Sequence, residues 1–250
     1  MIDSLRADRF IGENRTCKTP TIDSILDSGT YFSNMYSSSD VTGPCVGNFF
    51  TGMHSCKSKM TLHNFSKNVI NLFDLLKKSN EYFLFGNMAD ITWFHNMTKD
   101  FDEKQTFFCG GLTQDGLNDK IGNNILRQLD KNYSKPWFYY VHIQDLHDNI
   151  IVPKEFDNEK YGDTKYDRQV SFIDSWLKKI LEKINLENTV VIISADHASY
   201  VQAYNLGQMP TIQKFSSRIK QVFPSLEPFG LKLFIILRNL LISFQKKKLK

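Results

Sequence analysis

Residues 189–197, TVVIISADH, are a run of β-branched valine and isoleucine that ends in a carboxylate and an imidazole. A short apolar run of this kind predicts a strand buried on both faces, as in the middle of a parallel sheet. Such a strand delivers the residues after it to the carboxyl edge of the sheet, where open α/β folds place their ligands. The residues delivered here are Asp196 and His197, which together make half of a divalent-metal site. The plainer reading has Asp196 capping the next turn and His197 lying on the surface.

Residues 137–143, WFYYVHI, repeat the pattern: a fully apolar strand that runs into Asp145, His147 and Asp148. His142, inside that strand, reads as a packed residue rather than a ligand. Between the two runs, Tyr166, Val170, Ile173, Leu177, Ile180, Leu181 and Ile184 form one stripe of a long helix. Leu117, Ile121, Ile125 and Leu129 mark a further amphipathic helix, and Val69, Leu72, Phe73 and Leu76 mark one over residues 66–78 with Ser66 as candidate cap. Residues 82–85 predict a short strand ending in Gly86 and Asn87. From Asn87 to Gly111 no firm periodicity exists, which predicts loops with one short strand. Strands alternating with helices of these lengths predict the α/β class: a doubly wound, mostly parallel sheet flanked by helices.

Nearer the start, Thr19 reads as the N-cap of a short helix, with Pro20 at its first position and Gly29 at its close. Residues 42–52, TGPCVGNFFTG, carry Pro44 for the first turn of a helix and Gly52 for its end. Thr42 then sits at a helix N-terminus, a position that favours an anion or a developing alkoxide. Residues 3–8, DSLRAD, look like the end of a strand and the loop after it, with only Met1 and Ile2 ahead of them. A truncated start is one reading of that pattern.

A chain of 250 residues suffices for one α/β domain with a substantial core. The net charge of +4 is concentrated in Lys246, Lys247, Lys248 and Lys250. No basic stripe runs through the body, so nucleic acid is not an expected partner. Cys17, Cys45, Cys56 and Cys109 lack CxxC or zinc-ribbon spacing and are expected as reduced thiols. The start lacks a basic segment followed by an apolar core, so no signal peptide and a cytoplasmic location are expected. Residues 229–244 are nearly all apolar, but Lys232, Arg238 and Asn239 make them a poor membrane span. They read equally as a helix lying on an anionic membrane face or as one docked on the sheet. The expected division is residues 1–200 as a catalytic α/β domain and 201–250 as an irregular segment plus an apolar helix with a lysine tail.

Taken in order, DSLRAD, TPTIDSILDSG, TGPCVGNFFTG, YVHIQDLHD and NTVVIISADH resemble the sulfatase family of the alkaline phosphatase superfamily, over roughly residues 3–197. The resemblance implies an alkaline phosphatase-like fold, here incomplete at both ends. It implies one divalent metal ion (Ca, Mn, Mg or Zn) held by Asp3, Asp196 and His197. It places the nucleophile at Thr42, counted back from Thr51 and Gly52, and a substrate-binding or leaving-group-protonating role on His147. Asn87 and Asp145 are the expected substrate contacts. True sulfatases carry Cys or Ser in a C/S-x-P-x-R motif, from which formylglycine is made. This chain has Thr42, Pro44 and Val46 there, and Ser4 replaces the second acid of the family's DD pair. A threonine in this place is what phosphodiesterase and phosphoethanolamine- or phosphoglycerol-transferase relatives use.

A threonine hydroxyl is a poor nucleophile at neutral pH unless a metal ion lowers its pKa. The expected activity is therefore that of a sulfatase-like, metal-dependent hydrolase or transferase. It would cleave phosphate or sulfate esters through Thr42, on a small molecule or on a glycan such as a surface polysaccharide. Against this stand the plainer readings of Thr42 as an N-cap and His147 as a loop residue. Ala198, Ser199 and Tyr200 come after the DH pair and no histidine occurs after His197, so a second metal would lack a ligand. The alternatives are a truncated or degenerate non-catalytic relative, or a membrane-surface binding module built on residues 229–250.

Overall fold

The computed structural model describes residues 1–13, 15–58, 60, 69–109, 116–147 and 150–199. The expected Ser66 cap, Asp148 and everything expected of residues 201–250 lie outside the described residues.

Among the described residues, three parallel strands form the sheet: β1 (Phe83–Ala89), β2 (Phe107–Cys109) and β3 (Trp137–Val141), in the order β2-β1-β3. Asn87 of β1 stands opposite Phe107 on one side and Val141 on the other. Beyond β3 the pairing continues through single residues: Ile2 bridges Ile143 on one side and Ala195 on the other, both in parallel sense. Those two bridges put Asp3, the end of β3 and Asp196 at one sheet edge.

Alternation along the strands gives the sheet two apolar faces. Leu84, Met88 and Tyr140 share a core with Val46 and Phe50 of helix α2 (Thr42–Thr51), Phe73 of α4 (Leu72–Ser79), and Trp93 and Phe94 of α5 (Thr92–Met97). Between α2 and α4 lies the single turn α3 (Ser55–Ser58). On the opposite face Tyr139 and Val141 meet Ile22 of α1 (Pro20–Ser28), Ile121 and Ile125 of α6 (Lys120–Leu129), and Val170, Ile173 and Leu177 of α7 (Lys165–Leu181). Helices thus cover both faces, as the alternating pattern predicts.

Local chemistry sets the helix ends. Pro20 opens α1, yet Thr19 makes no side-chain cap bond; Asp174 of α7 accepts from the N–H groups of Thr21 and Ile22 instead. The helix expected from residue 66 is described only from Leu72, because Asn71 and Asp74 form a capping box there. Helix α5 has no counterpart in the sequence pattern; one and a half turns are too short to display a period. Gly52, at φ +64°, closes α2 in the left-handed conformation that glycine adopts without strain.

The largest departure concerns residues 189–193, expected as a central buried strand. They form no strand, and Val190 is 87% and Ile192 70% exposed. A β-branched run becomes a buried strand only where neighbours pair along its length. Among the described residues, backbone pairing comes only after the run, where Ile2 bridges Ala195 and donates to Ser194 O at 2.8 Å. Among the described residues, no helix is long and apolar enough to cross a membrane.

Candidate active site

The bridges at Ile2 hold Asp3 and Asp196 side by side, and one ligand atom each from Asp3, Asp196 and His197 lies within 4.8 Å of the others. His197 Nε2 is 3.5 Å from Asp196 Oδ2 and 3.8 Å from Asp3 Oδ1. His197 Nδ1 lies 3.0 Å from the carbonyl of Ala198. A carbonyl only accepts, so Nδ1 donates to it, which leaves Nε2 facing the carboxylates as the candidate ligand atom. Asp196 Oδ1 accepts from the backbone N–H of Ser4 at 3.1 Å and of His197 at 2.8 Å. Its other oxygen, Oδ2, is buried without a hydrogen-bond partner. A buried, unpartnered carboxylate oxygen beside a second carboxylate fits a cation, and two hard oxygens with one imidazole suit Mg²⁺, Ca²⁺, Mn²⁺ or Zn²⁺.

Thr42 is the first residue of α2, and its Oγ1 lies 3.3 Å from Asp3 Oδ2 and 3.2 Å from His197 Nε2. The N-cap position belongs to Val41, so the Thr42 hydroxyl serves no cap and faces the acidic group. Ser37, in the loop ahead of α2, donates to the backbone carbonyl of Asp196 at 2.6 Å. Ser4 ties the two carboxylates together: its hydroxyl donates to Asp3 Oδ1 at 2.8 Å, its N–H to Asp196, and its carbonyl accepts from Tyr166. It does so at φ +62°, a left-handed conformation unusual for serine. Asp3 is 1% exposed, and that burial opposes its charge. The His142 hydrogen bond and charge, the charge of His147 and the Ser4 hydroxyl outweigh burial and hold Asp3 below the ordinary carboxylate range.

With this geometry in place, comparison with known proteins decides the family. The Sulfatase family model matches residues 1–221.

The chain belongs to the sulfatase family.

An uncharacterized protein of Haemophilus influenzae is 24% identical over 197 residues, which cover 78% of this chain and 30% of that protein. Two solved structures share the fold. Ps i-CgsB superposes with a TM-score of 0.54 at 17% identity, covering 73% of this chain and 53% of the other. A protein in the alkaline phosphatase superfamily from Vibrio parahaemolyticus superposes with a TM-score of 0.52 at 20% identity, covering 73% and 48%. The chain thus spans about a third of the curated relative and about half of each solved neighbour.

Of the sulfatase-type site residues read from the sequence, the structure brings together Asp3, Thr42, Asp196 and His197. His147 lies beyond β3, close enough for its charge to act on Asp3, and its Nδ1 is buried without a partner. Asn87 and Asp145 are engaged elsewhere. Asn87 is buried in β1, where its Oδ1 accepts from the Tyr139 hydroxyl at 2.9 Å. Asp145 accepts from the Leu117 N–H at 3.0 Å and from Gln169 at 3.3 Å, and burial pushes its pKa up to about 6. Sequence reasoning missed Ser4, whose backbone angle no motif states, and His142, whose Nε2 is 3.4 Å from Asp3 Oδ2.

Proposed function

We propose that this domain is a metal-dependent phosphate- or sulfate-ester hydrolase or transferase. Thr42 is its nucleophile, and Asp3, Asp196 and His197 hold one divalent cation. The observation that carries this reading is the Thr42 hydroxyl, within 3.3 Å of both Asp3 Oδ2 and His197 Nε2. A bound cation would supply the positive charge that lowers the pKa of that hydroxyl and offsets charge on the ester.

The remaining steps belong to the chain's own residues. The N–H groups of Thr42 and Gly43, which open α2, favour the negative oxygens of a phosphate or sulfate; Pro44 has none and Cys45 donates to the Val41 carbonyl. Thr42 Oγ gives up its proton to solvent and bonds to phosphorus or sulfur in line as the bond to the leaving oxygen breaks. His147 gives the leaving alkoxide its proton. Water, or an acceptor alcohol, then attacks the Thr42 ester and returns a proton to His147, and the departing Thr42 oxygen takes a proton back from solvent to restore the hydroxyl. Threonine at the nucleophile position and Ser4 in place of a second acid favour phosphoryl over sulfuryl transfer. A small-molecule or glycan ester is the substrate class. The apolar, lysine-ended composition of residues 229–250 suits contact with an anionic membrane surface.

The test is turnover of a chromogenic phosphodiester and of an aryl sulfate in the presence of Mn²⁺. Wild type should turn over the phosphodiester, Thr42→Ser should keep part of that activity, and Thr42→Ala should lose about 10³-fold or more. Equal rates in wild type and Thr42→Ala would contradict the assignment, and no turnover in a folded wild type would favour a non-catalytic binding domain.

A further inference from the structure

The geometry points to a buried Tyr140–His142 prop that fixes the Asp3 carboxylate for the cation and for Thr42, which makes His142 a positioning residue of the site. The inference rests on the metal-site reading above and adds residues that the sulfatase resemblance does not assign. Tyr140 and His142 are two apart on the strand line of β3, so their side chains share one face of the sheet. The His142 side chain is 0% exposed, and its backbone N–H donates to the carbonyl of Asn87 at 2.8 Å, which anchors it to β1.

Each ring nitrogen of His142 has a different task. Nδ1 lies 2.9 Å from the Tyr140 hydroxyl and Nε2 lies 3.4 Å from Asp3 Oδ2. Burial, with the charges of Asp196 and Asp3, pushes the Tyr140 phenol well above its ordinary pKa, so the hydroxyl keeps its one proton and can give it to Nδ1 or to Met1 Sδ at 3.6 Å. When the hydroxyl donates to Nδ1, Nε2 carries the ring proton and directs it at Asp3 Oδ2. Met1 Sδ lies 3.6 Å from the Tyr140 hydroxyl, the Phe94 ring stands edge-on to His142 with centroids 5.1 Å apart, and Phe50 stands edge-on to Tyr140 at 5.0 Å.

Asp3 is therefore held from several sides. Ser4 takes Oδ1, while His142 and Thr42 both face Oδ2. A carboxylate fixed in this way meets a cation without having to be ordered first, and partners of this type change metal affinity by about 10–100-fold when removed. A histidine that merely fills the core would not set a ring nitrogen against the carboxylate beside Thr42.

The experiment is Mn²⁺ binding by calorimetry to wild type, Tyr140→Phe, His142→Phe, His142→Gln and Phe94→Leu, each checked for a cooperative melt in EDTA. Tyr140→Phe removes one oxygen and leaves the ring packing, and it should weaken Mn²⁺ binding by about 3–10-fold; His142→Phe should weaken it by about 10–100-fold. His142→Gln, which keeps an N–H donor, should fall between wild type and His142→Phe. Phe94→Leu disturbs the packing around His142 without touching its hydrogen bonds and should bind within about twofold of wild type. Unchanged affinity in Tyr140→Phe and in every folded His142 variant, with wild type still binding, would overturn the prop alone. Absence of Mn²⁺ binding by folded wild type would overturn the metal site itself and the prop with it. If His142→Phe fails to fold, Tyr140→Phe and His142→Gln decide.

Discussion

Asp145 shows how one half-buried group sets a pH dependence. Its carboxyl, lodged against Leu117 N–H and Gln169, titrates near 6 because burial disfavours its charge. A carboxyl with a raised folded-state pKa contributes most to stability below its ordinary value of 3.8, and that contribution is lost as pH rises through about 6. The loss at neutral pH is about 1–3 kcal/mol. Asp145→Asn keeps an acceptor for Leu117 and places an N–H₂ near Gln169 Oε1, which is buried without a partner. In urea titrations the variant should therefore gain about 1–3 kcal/mol on wild type at pH 7.5 and little at pH 4. A difference independent of pH would contradict the buried-carboxyl account. At this scale the sequence was informative where a residue ends an element or opens one, as with Asp3, Thr42, Asp196 and His197. Ser4 and His142 escaped because a backbone angle of +62° and a contact made through the Ile2 bridge are tertiary facts.

At the scale of elements, the helices were the most legible part, because α6 and α7 each carry an apolar stripe that one face of the sheet can bury. Their close approach was not legible. A Cβ on Gly122 of α6 would fall 2.5 Å from the Trp176 ring of α7 and 2.2 Å from the Leu117 carbonyl. The better helix propensity of alanine, about 1 kcal/mol, cannot offset that overlap. Gly122→Ala should lower the thermal midpoint, with a net cost of about 1–3 kcal/mol; a stabilised variant would show that the two helices can part freely. Residues 189–193 are the converse case, in which composition named a strand that tertiary pairing does not supply. Val190→Lys and Ile192→Lys should each change stability by less than about 0.5 kcal/mol, as exposed positions do. A cost of about 2 kcal/mol or more at either site would restore the buried strand.

At the scale of the whole molecule, the parallel sheet and its two helix layers give the fold shared with the solved neighbours, while the proposed chemistry rests on four side chains that distant segments bring to one edge. Asp3 and Thr42 come from the first fifth of the chain and Asp196 and His197 from near its four-fifths point, so the site exists only if the whole described domain folds. Metal affinity and global stability should therefore be linked. The decisive measurement is the thermal midpoint with and without excess Mn²⁺, for wild type and Asp196→Asn, each compared with its own EDTA baseline. At about a hundred times the dissociation constant, Mn²⁺ should stabilise wild type by about 2.7 kcal/mol and raise its midpoint by roughly 5–10 °C. Asp196→Asn should show little or no rise. No rise in a cooperatively melting wild type, or the same rise in the variant, would contradict a metal site built from Asp3, Asp196 and His197.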